Sequence, residues 1–199
     1  MDGLSYDVLA PGIISIPNLY EDASELVSAC KEVDVWKQAT AGPEHIVSEY
    51  RICHDVPIAG AFDSRFQKFE GALQLIAGDA LQTYTNYNNF VTARTDEGYQ
   101  VCRYQVGGRY NEHTDWTFPN FVHRELSLII ALSDPGAYSG GELVFPMQDL
   151  SLRPEKGTAI LFLSGVGNVH AVRDVTEGER FTMCTWFNHN VDIHIKSRA

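Results

Sequence analysis

Apolar positions fall into two regimes along the chain. In the first part they recur at helical spacing. Asn18-Leu19-Tyr20 leads into EDASELVSACKEV, where Leu26, Val27, Cys30 and Val33 share one face and Glu21 and Asp22 occupy the first turn favoured by the helix dipole. The stripe Phe62, Phe66, Phe69, Leu73, Ile76, Ala80 and Leu81 predicts a second helix over about 62–84. Between them lie a polar turn at 41–45 and the segment IVSEYRICHDVPI at 46–58, whose alternation reads as extended. After residue 98 the pattern changes to short segments rich in β-branched and aromatic residues: YQVCRYQVGG, RELSLIIALSD, GELVFP, TAILFLSG, VHAVRDV and RFTMCTWFNH. Gly107-Gly108, Asp134-Pro135-Gly136, Gly140-Gly141, Lys156-Gly157 and Glu177-Gly178 punctuate them. Helices first and strands second predict an α+β, mainly β chain, a sandwich or barrel buttressed by N-terminal helices. The stretch TNYNNFVTARTDEG at 85–98 is expected to be a mobile loop, long enough to serve as a lid.

Composition narrows the function classes. The length of 199 residues suits a single domain, 1–199, with helical support over about 1–98 and a strand core over about 99–190. The net charge of −11 repels phosphate backbones, so no nucleic-acid partner is expected. The most apolar runs, 126–132 and 158–163, have strand length, and no membrane association is expected. The N-terminus has no basic residue before its apolar part and reads as neither a secretory signal nor a transit peptide. Cys30, Cys53, Cys102 and Cys184 form no CxxC pair, and a cytoplasmic setting is the simplest expectation.

His113-Thr114-Asp115 places an imidazole and a carboxylate at i and i+2, which share a face on a strand. A distant second histidine would complete a 2-His-1-carboxylate triad with open positions on an octahedral iron, and His170 in NVHAV is the best candidate. Taken alone, His-x-Asp in a chain with seven histidines reads as a surface pair or a structural histidine. Its surroundings reverse that reading. His45, His54, His123, His189 and His194 have no such frame and are read as surface or structural.

The segment Tyr104-Gln-Val-Gly107-Gly-Arg-Tyr110-Asn-Glu-His113-Thr-Asp115-Trp116 resembles the YxxGxxYxxHxD-aromatic signature of prolyl 4-hydroxylase-like 2-oxoglutarate- and Fe(II)-dependent dioxygenases. Arg124-Glu-Leu-Ser-Leu-Ile-Ile-Ala-Leu-Ser-Asp and Gly140-Gly141-Glu142-Leu-Val-Phe-Pro146 resemble that family's second core strand and GGE turn. Pro154-Glu-Lys-Gly157-Thr-Ala-Ile-Leu-Phe162, His170-Ala-Val, and Gly178-Glu-Arg180-Phe ending in Trp186-Phe follow in the same order. The DPxxYxGGEL form of the turn is similar to bacterial PKHD-type hydroxylases.

The resemblance implies a double-stranded β-helix, or jelly roll. It implies Fe(II) held by His113, Asp115 and His170, with 2-oxoglutarate as co-substrate, O2 as oxidant and ascorbate as a further candidate cofactor. The intact Asp115 argues for hydroxylation rather than halogenation. Arg180, ten residues after His170, suits the distal carboxylate of 2-oxoglutarate, because a guanidinium grips a carboxylate bidentately. Tyr104 is placed in the co-substrate pocket, Trp186 against its floor, and Tyr110 either in the pocket or in packing. Ala131 stands where many members carry a tyrosine. Trp116, Arg109 and Arg124 are candidate substrate contacts, with an inter-strand ion pair as the other reading of Arg124. The expected substrate is a prolyl or other residue in a peptide or protein. The alternatives are a free amino acid or small metabolite, and a non-catalytic jelly-roll module that uses the metal for structure.

Overall fold

The computed structural model describes residues 4–34, 36–40, 47–116 and 124–189. The polar turn at 41–45 and His45, His123 and His194 lie outside them. Strands β1 (Asp7–Ala10) and β2 (Ile13–Ile16) precede helix α1 (Ala23–Lys31). Strands β3 (Lys37–Gln38), β4 (Arg51–Ile52) and β5 (His54–Pro57) lead through a 3-10 turn at Ser64–Phe66 into helix α2 (Gln67–Tyr87). Then follow β6 (Thr95–Asp96), β7 (Gln100–Tyr104), β8 (Arg109–His113), β9 (Leu126–Ala131), β10 (Tyr138–Gly140), β11 (Leu143–Phe145), β12 (Leu150–Leu152), β13 (Ala159–Leu163), β14 (His170–Val172), β15 (Val175–Gly178) and β16 (Arg180–Asn188).

The strands form a jelly roll of two antiparallel layers. The larger sheet runs β1-β2-β13-β9-β16-β7-β5-β3, with β6 added on β16. The smaller runs β12-β11-β14-β8-β4, and β10 and β15 make a separate ribbon. Strict alternation decides what each central strand presents. Leu126, Leu128 and Ile130 of β9 join Phe181, Met183 and Phe187 of β16 in the main core, against Leu26, Cys30, Phe66, Phe69, Leu73, Ala77 and Tyr84 from the helical side. The opposite faces, Ser127 and Ile129 on β9 and Arg180, Thr182, Cys184 and Trp186 on β16, look between the sheets. Ile13, Leu143, Phe145, Ile160 and Phe162 pack at one flank of that space, and Cys53, Cys102, Tyr104, Val172 and Val175 at the other.

Three expectations need correction. The span expected as helical support opens with strands instead: β1 and β2 form a hairpin that extends the larger sheet through β13. Pro11-Gly12 makes its two-residue turn, with Gly12 at φ +77, and helix α2 clamps it: Tyr84 Oη donates to Gly12 O (2.8 Å) and Gly12 N donates to Tyr87 Oη (3.1 Å). Both helices are also displaced. Phe62 lies outside α2 and is exposed, and Asp22 sits at the N-cap position of α1, leaving Glu25 in the first turn.

The third correction concerns 85–98, which is neither a long loop nor free. Helix α2 runs on to Tyr87, and β6 pairs with β16. The Glu125 carboxylate accepts from Thr92 N and Ala93 N, Arg94 N donates to Asn188 O, and Glu97 N donates to Trp186 O. A segment tied to the sheet at these points cannot swing as a lid without breaking several hydrogen bonds, each worth about 0.5–1.5 kcal/mol net.

Leu73 has no exposed surface and sits at the centre of the α2 face under the larger sheet. Leu73→Ala is expected to destabilise the protein by roughly 2–5 kcal/mol, read as a lower urea midpoint at unchanged slope. A loss under about 1 kcal/mol would mean that α2 is not part of the core.

Candidate functional site

Strand β8 delivers the first imidazole through an irregularity. His170 pairs with His113, but Val172 pairs with Tyr110, so β8 spends one more residue than β14 between the two pairs. This bulge turns Tyr110 and His113, three apart in sequence, onto the same inward face. Their rings stack with centroids 3.5 Å apart and planes at 15°. Asp115 follows just beyond the strand, and His170 opens β14 opposite.

The three side chains converge. His113 Nε2 lies 3.6 Å from Asp115 Oδ1, and His170 Nε2 lies 3.6 Å from Asp115 Oδ2. All three ligand atoms fall within 4.8 Å of one another, the one such His/Cys/Asp/Glu group among the described residues. Donors held about 2.0–2.2 Å from one ion lie roughly 3–4 Å apart, so the spacing suits a single divalent cation. Each imidazole is oriented by its other nitrogen: His113 Nδ1 donates to Asn111 O (2.7 Å) and His170 Nδ1 to Asn168 O (3.1 Å). A carbonyl only accepts, so both Nε2 lone pairs face the centre. Ser127 Oγ donates to Asp115 Oδ2 (2.7 Å) and is itself linked to Ser164 Oγ (2.8 Å).

Electrostatics hold the set ready for a metal. Burial, helped by the neighbouring His170, lowers His113 to about 3, so its ring is neutral at physiological pH. Burial alone would raise Asp115, but His170, His113, Arg124 and the Ser127 hydrogen bond outweigh it and pull the carboxyl down to about 2. Neutral imidazole and ionised carboxylate are the ligating forms.

The same cavity continues away from this cluster between the sheets, lined by Tyr104, Tyr110, Arg180, Thr182, Cys184 and Trp186 among others. Arg180 is 3% exposed, faces Tyr104 across the β7–β16 ladder, and holds its guanidinium carbon 5.1 Å from that ring. No carboxylate, carbonyl or hydroxyl among the described residues pairs with its side chain. A buried guanidinium without a counter-ion is costly, and a carboxylate of a bound ligand would satisfy it. The turn at Gly140-Gly141 makes room for it: a Cβ on Gly141 would come within 3.0 Å of Arg180 Cδ.

The other expected residues are distributed unevenly. Trp186 lines the cavity. Arg124 makes an ion pair with Glu97 (Nη2 to Oε2, 2.7 Å) and stacks on Trp186, 3.7 Å from the ring centroid, as in the ion-pair reading of this residue. Arg109 is not brought to the cavity. The bulge that turns Tyr110 inward turns Arg109 outward, where Nη1 lies 3.6 Å from Asp174. Trp116 is 40% exposed beside Asp115 and donates its backbone N–H to Ser164 O.

Arg51 was missed. It reaches the cavity wall from β4, with its guanidinium over Tyr110 (4.8 Å) and bonds to Thr40 O, Cys53 Sγ and Cys102 Sγ. The available signal was a lone arginine within an alternating segment, Tyr50-Arg51-Ile52-Cys53, where a charge on the inward face needs a reason.

The depressed proton affinity of His113 has a consequence for the metal-free protein. In the unfolded chain the ring takes its proton near 6.5, while in the fold it waits until about 3. Its contribution to stability is present above 6.5 and is lost as pH falls through that window, where only the unfolded state binds the proton. His113→Asn is expected to shallow the fall of stability with decreasing pH by up to about 1.4 kcal/mol per pH unit. Denaturant titrations of both proteins at several pH values check this, and equal slopes would refute it.

Comparisons with known proteins agree with this geometry. Residues 99–188 match the sequence model of the 2OG-Fe(II) oxygenase superfamily. A PKHD-type hydroxylase of Maricaulis maris is 31% identical over 109 residues, covering 54% of this chain and 49% of that protein. The chain thus spans about half the length of the first curated relatives it matches. In fold it is similar to a viral collagen prolyl hydroxylase of Paramecium bursaria Chlorella virus-1 solved with 2-oxoglutarate (TM-score 0.66, 19% identity, 90% of this chain and 97% of that one). It is also similar to a prolyl hydroxylase of Trichoplax adhaerens solved with a hypoxia-inducible-factor peptide (TM-score 0.75, 17% identity, 89% and 83%). The ordered motifs, the converging His-Asp-His cluster and the match over 99–188 agree: these residues are similar to the 2OG-Fe(II) oxygenase superfamily, and the chain has the fold of the prolyl hydroxylases.

Proposed function

We propose that the protein is a 2-oxoglutarate- and Fe(II)-dependent dioxygenase that hydroxylates a C–H bond, with a prolyl or other residue of a peptide or protein as its substrate. The observation that carries this reading is the pairing of two groups in one cavity: a buried, metal-ready His-Asp-His cluster at one end and, at the other, the buried Arg180 guanidinium, which has no counter-ion among the described residues. A ligand with a carboxylate at one end and a chelating group at the other spans such a cavity.

The donor set fits Fe(II). His113, Asp115 and His170 would hold it, and with 2-oxoglutarate and O2 it supplies the oxidising power for C–H hydroxylation. The chain's own residues bind and orient. Asn111 O and Asn168 O fix the two rings, and Ser127 fixes the carboxylate. Arg180 grips the distal carboxylate of the co-substrate, with the Tyr104 ring packed beside it. Burial pushes the Tyr104 hydroxyl well above its ordinary value, so it stays protonated and can donate to the same carboxylate. Leu143, Ile129 and Val172 complete an apolar lining that excludes water from the bound co-substrate.

The similarity to PKHD-type hydroxylases and to a peptide-bound prolyl hydroxylase supports a peptidyl substrate. The test is a panel of proline-containing peptides, free amino acids and small metabolites, offered with Fe(II), 2-oxoglutarate and O2. Gain of one oxygen by a peptide, matched by succinate, is expected. Oxidation of free amino acids or metabolites alone would replace the peptide reading with the small-molecule one.

Two variants test the site itself. His113→Ala and His170→Ala are each expected to abolish iron binding in a metal titration, and full stoichiometry in both would sink the ligand assignment. Arg180→Ala is expected to raise the apparent 2-oxoglutarate constant roughly tenfold to a hundredfold, since a charge-assisted contact is worth about 1.5–3 kcal/mol. An unchanged constant would place the carboxylate elsewhere.

A further inference from the structure

The cavity wall carries a group that hydroxylation does not use. Three of the four cysteines gather there: Cys102 and Cys184 line the cavity, and Cys53 lies behind Cys102 in the same buried cluster. Arg51 donates to Cys53 Sγ (3.3 Å) and Cys102 Sγ (3.4 Å), and Thr182 Oγ1 lies 3.9 Å from Cys184 Sγ.

Register places Cys184 between the two ends of the site. On β16 the inward positions run Arg180, Thr182, Cys184, Trp186, and Arg180 and Thr182 face Tyr104 and Cys102 on β7. Trp186 pairs with Ser127, the residue that holds Asp115, and Cys184 pairs with Ile129 one inward step further in. Of the two lining thiols, Cys184 is therefore the one nearer the His-Asp-His cluster along the ladder. A hydrogen bond from Cys102 is the leading influence that lowers the Cys184 thiol below its ordinary value, which favours its nucleophilic form.

We propose that Cys184 is an internal oxygen acceptor when 2-oxoglutarate is consumed without a prime substrate, and that its sulfenic acid closes the cavity to further co-substrate. This rests on the dioxygenase reading above. The balance is 2-oxoglutarate + O2 + Cys184–SH → succinate + CO2 + Cys184–SOH. The C1–C2 bond of the co-substrate breaks, one oxygen atom enters the new carboxylate of succinate, and the other bonds to sulfur. Two electrons come from the co-substrate and two from the thiol, and the thiol hydrogen ends on the sulfenic oxygen. The product stays a sulfenic acid. Cys102 and Cys184 are diagonal neighbours on paired strands, about 7–8 Å apart at Cα, wider than a disulfide spans without backbone movement. The added oxygen stands on the path from the metal cluster to Arg180, where the co-substrate chain must lie.

The experiment uses the Fe(II)-loaded protein with 2-oxoglutarate and isotopically labelled O2, without prime substrate, followed by dimedone trapping and peptide mapping. One dimedone adduct at Cys184 is expected, growing with succinate. In untrapped samples labelled oxygen should appear at Cys184, succinate production should decay, and a thiol reductant should restore it. Cys184→Ser should lose the adduct and sustain succinate production past the point where the parent protein stops. Succinate formed with no adduct at Cys184, an adduct at Cys102 instead, or an equal adduct without 2-oxoglutarate would each overturn the inference and leave the dioxygenase reading standing. No succinate under any condition would overturn the dioxygenase reading, and this inference with it.

Discussion

Asp115 is a carboxylate kept ionised between two β-sheets, and the site is organised around that constraint. Removing an anion from water costs several kcal/mol unless positive or donor groups face it. Here Ser127 Oγ donates to it at 2.7 Å, and the Nε2 atoms of His113 and His170 stand 3.6 Å from its oxygens, where a shared cation would bind all three. Those partners are on β8, β14 and β9, which belong to both sheets, so the sandwich must close in one register for the charge to be tolerated. The arrangement aims both imidazole Nε2 atoms inward beside the carboxylate, the donor set that suits a divalent cation. Arg180 poses the converse problem at the other end, a buried cation with no anion among the described residues, and the two together describe the ligand that would complete the cavity.

The fold legible in the sequence was the part where one periodicity decides. The runs at 126–132 and 158–163 became the central strands β9 and β13, since residues apolar on both faces suit a strand covered by helices on one side and a second sheet on the other. The α2 stripe was read correctly from Phe66 onward because burial, not propensity, sets it. What escaped was set by distant contacts. DVLA and IISI are each four residues long and gain their strand state from β13 and from two tyrosines of α2, although Pro11-Gly12 marked the turn. Likewise 85–98 reads as a polar loop, and residues remote in sequence anchor it, among them Arg124, Glu125, Trp186 and Asn188.

The convergence of His113, Asp115 and His170 was legible for a different reason. His113 and Asp115 are close in sequence, and the ordered motifs after them supplied His170 and Arg180. The placement of the residues around them shows where linear reasoning ends. Arg109 stands next to Tyr110, but a one-residue bulge decides which of them faces in, and a bulge comes from pairing with β14 rather than from β8 itself. Arg51 lies outside the motif-bearing half and enters through the corner where the chain passes from the smaller sheet to the larger. The thiols of Cys53, Cys102 and Cys184 share no sequence spacing, and only the alignment of β5, β7 and β16 gathers them.

The central claim is that one cavity binds Fe(II) at His113, Asp115 and His170 and 2-oxoglutarate between that iron and Arg180. The most direct measurement is an anaerobic titration of the Fe(II)-loaded protein with 2-oxoglutarate, followed by visible absorption. A chelate of Fe(II) by the keto acid has a charge-transfer band that neither component has alone. The account predicts that the band appears and saturates at one 2-oxoglutarate per chain. A protein that takes up Fe(II) yet shows no band at saturating 2-oxoglutarate would contradict it.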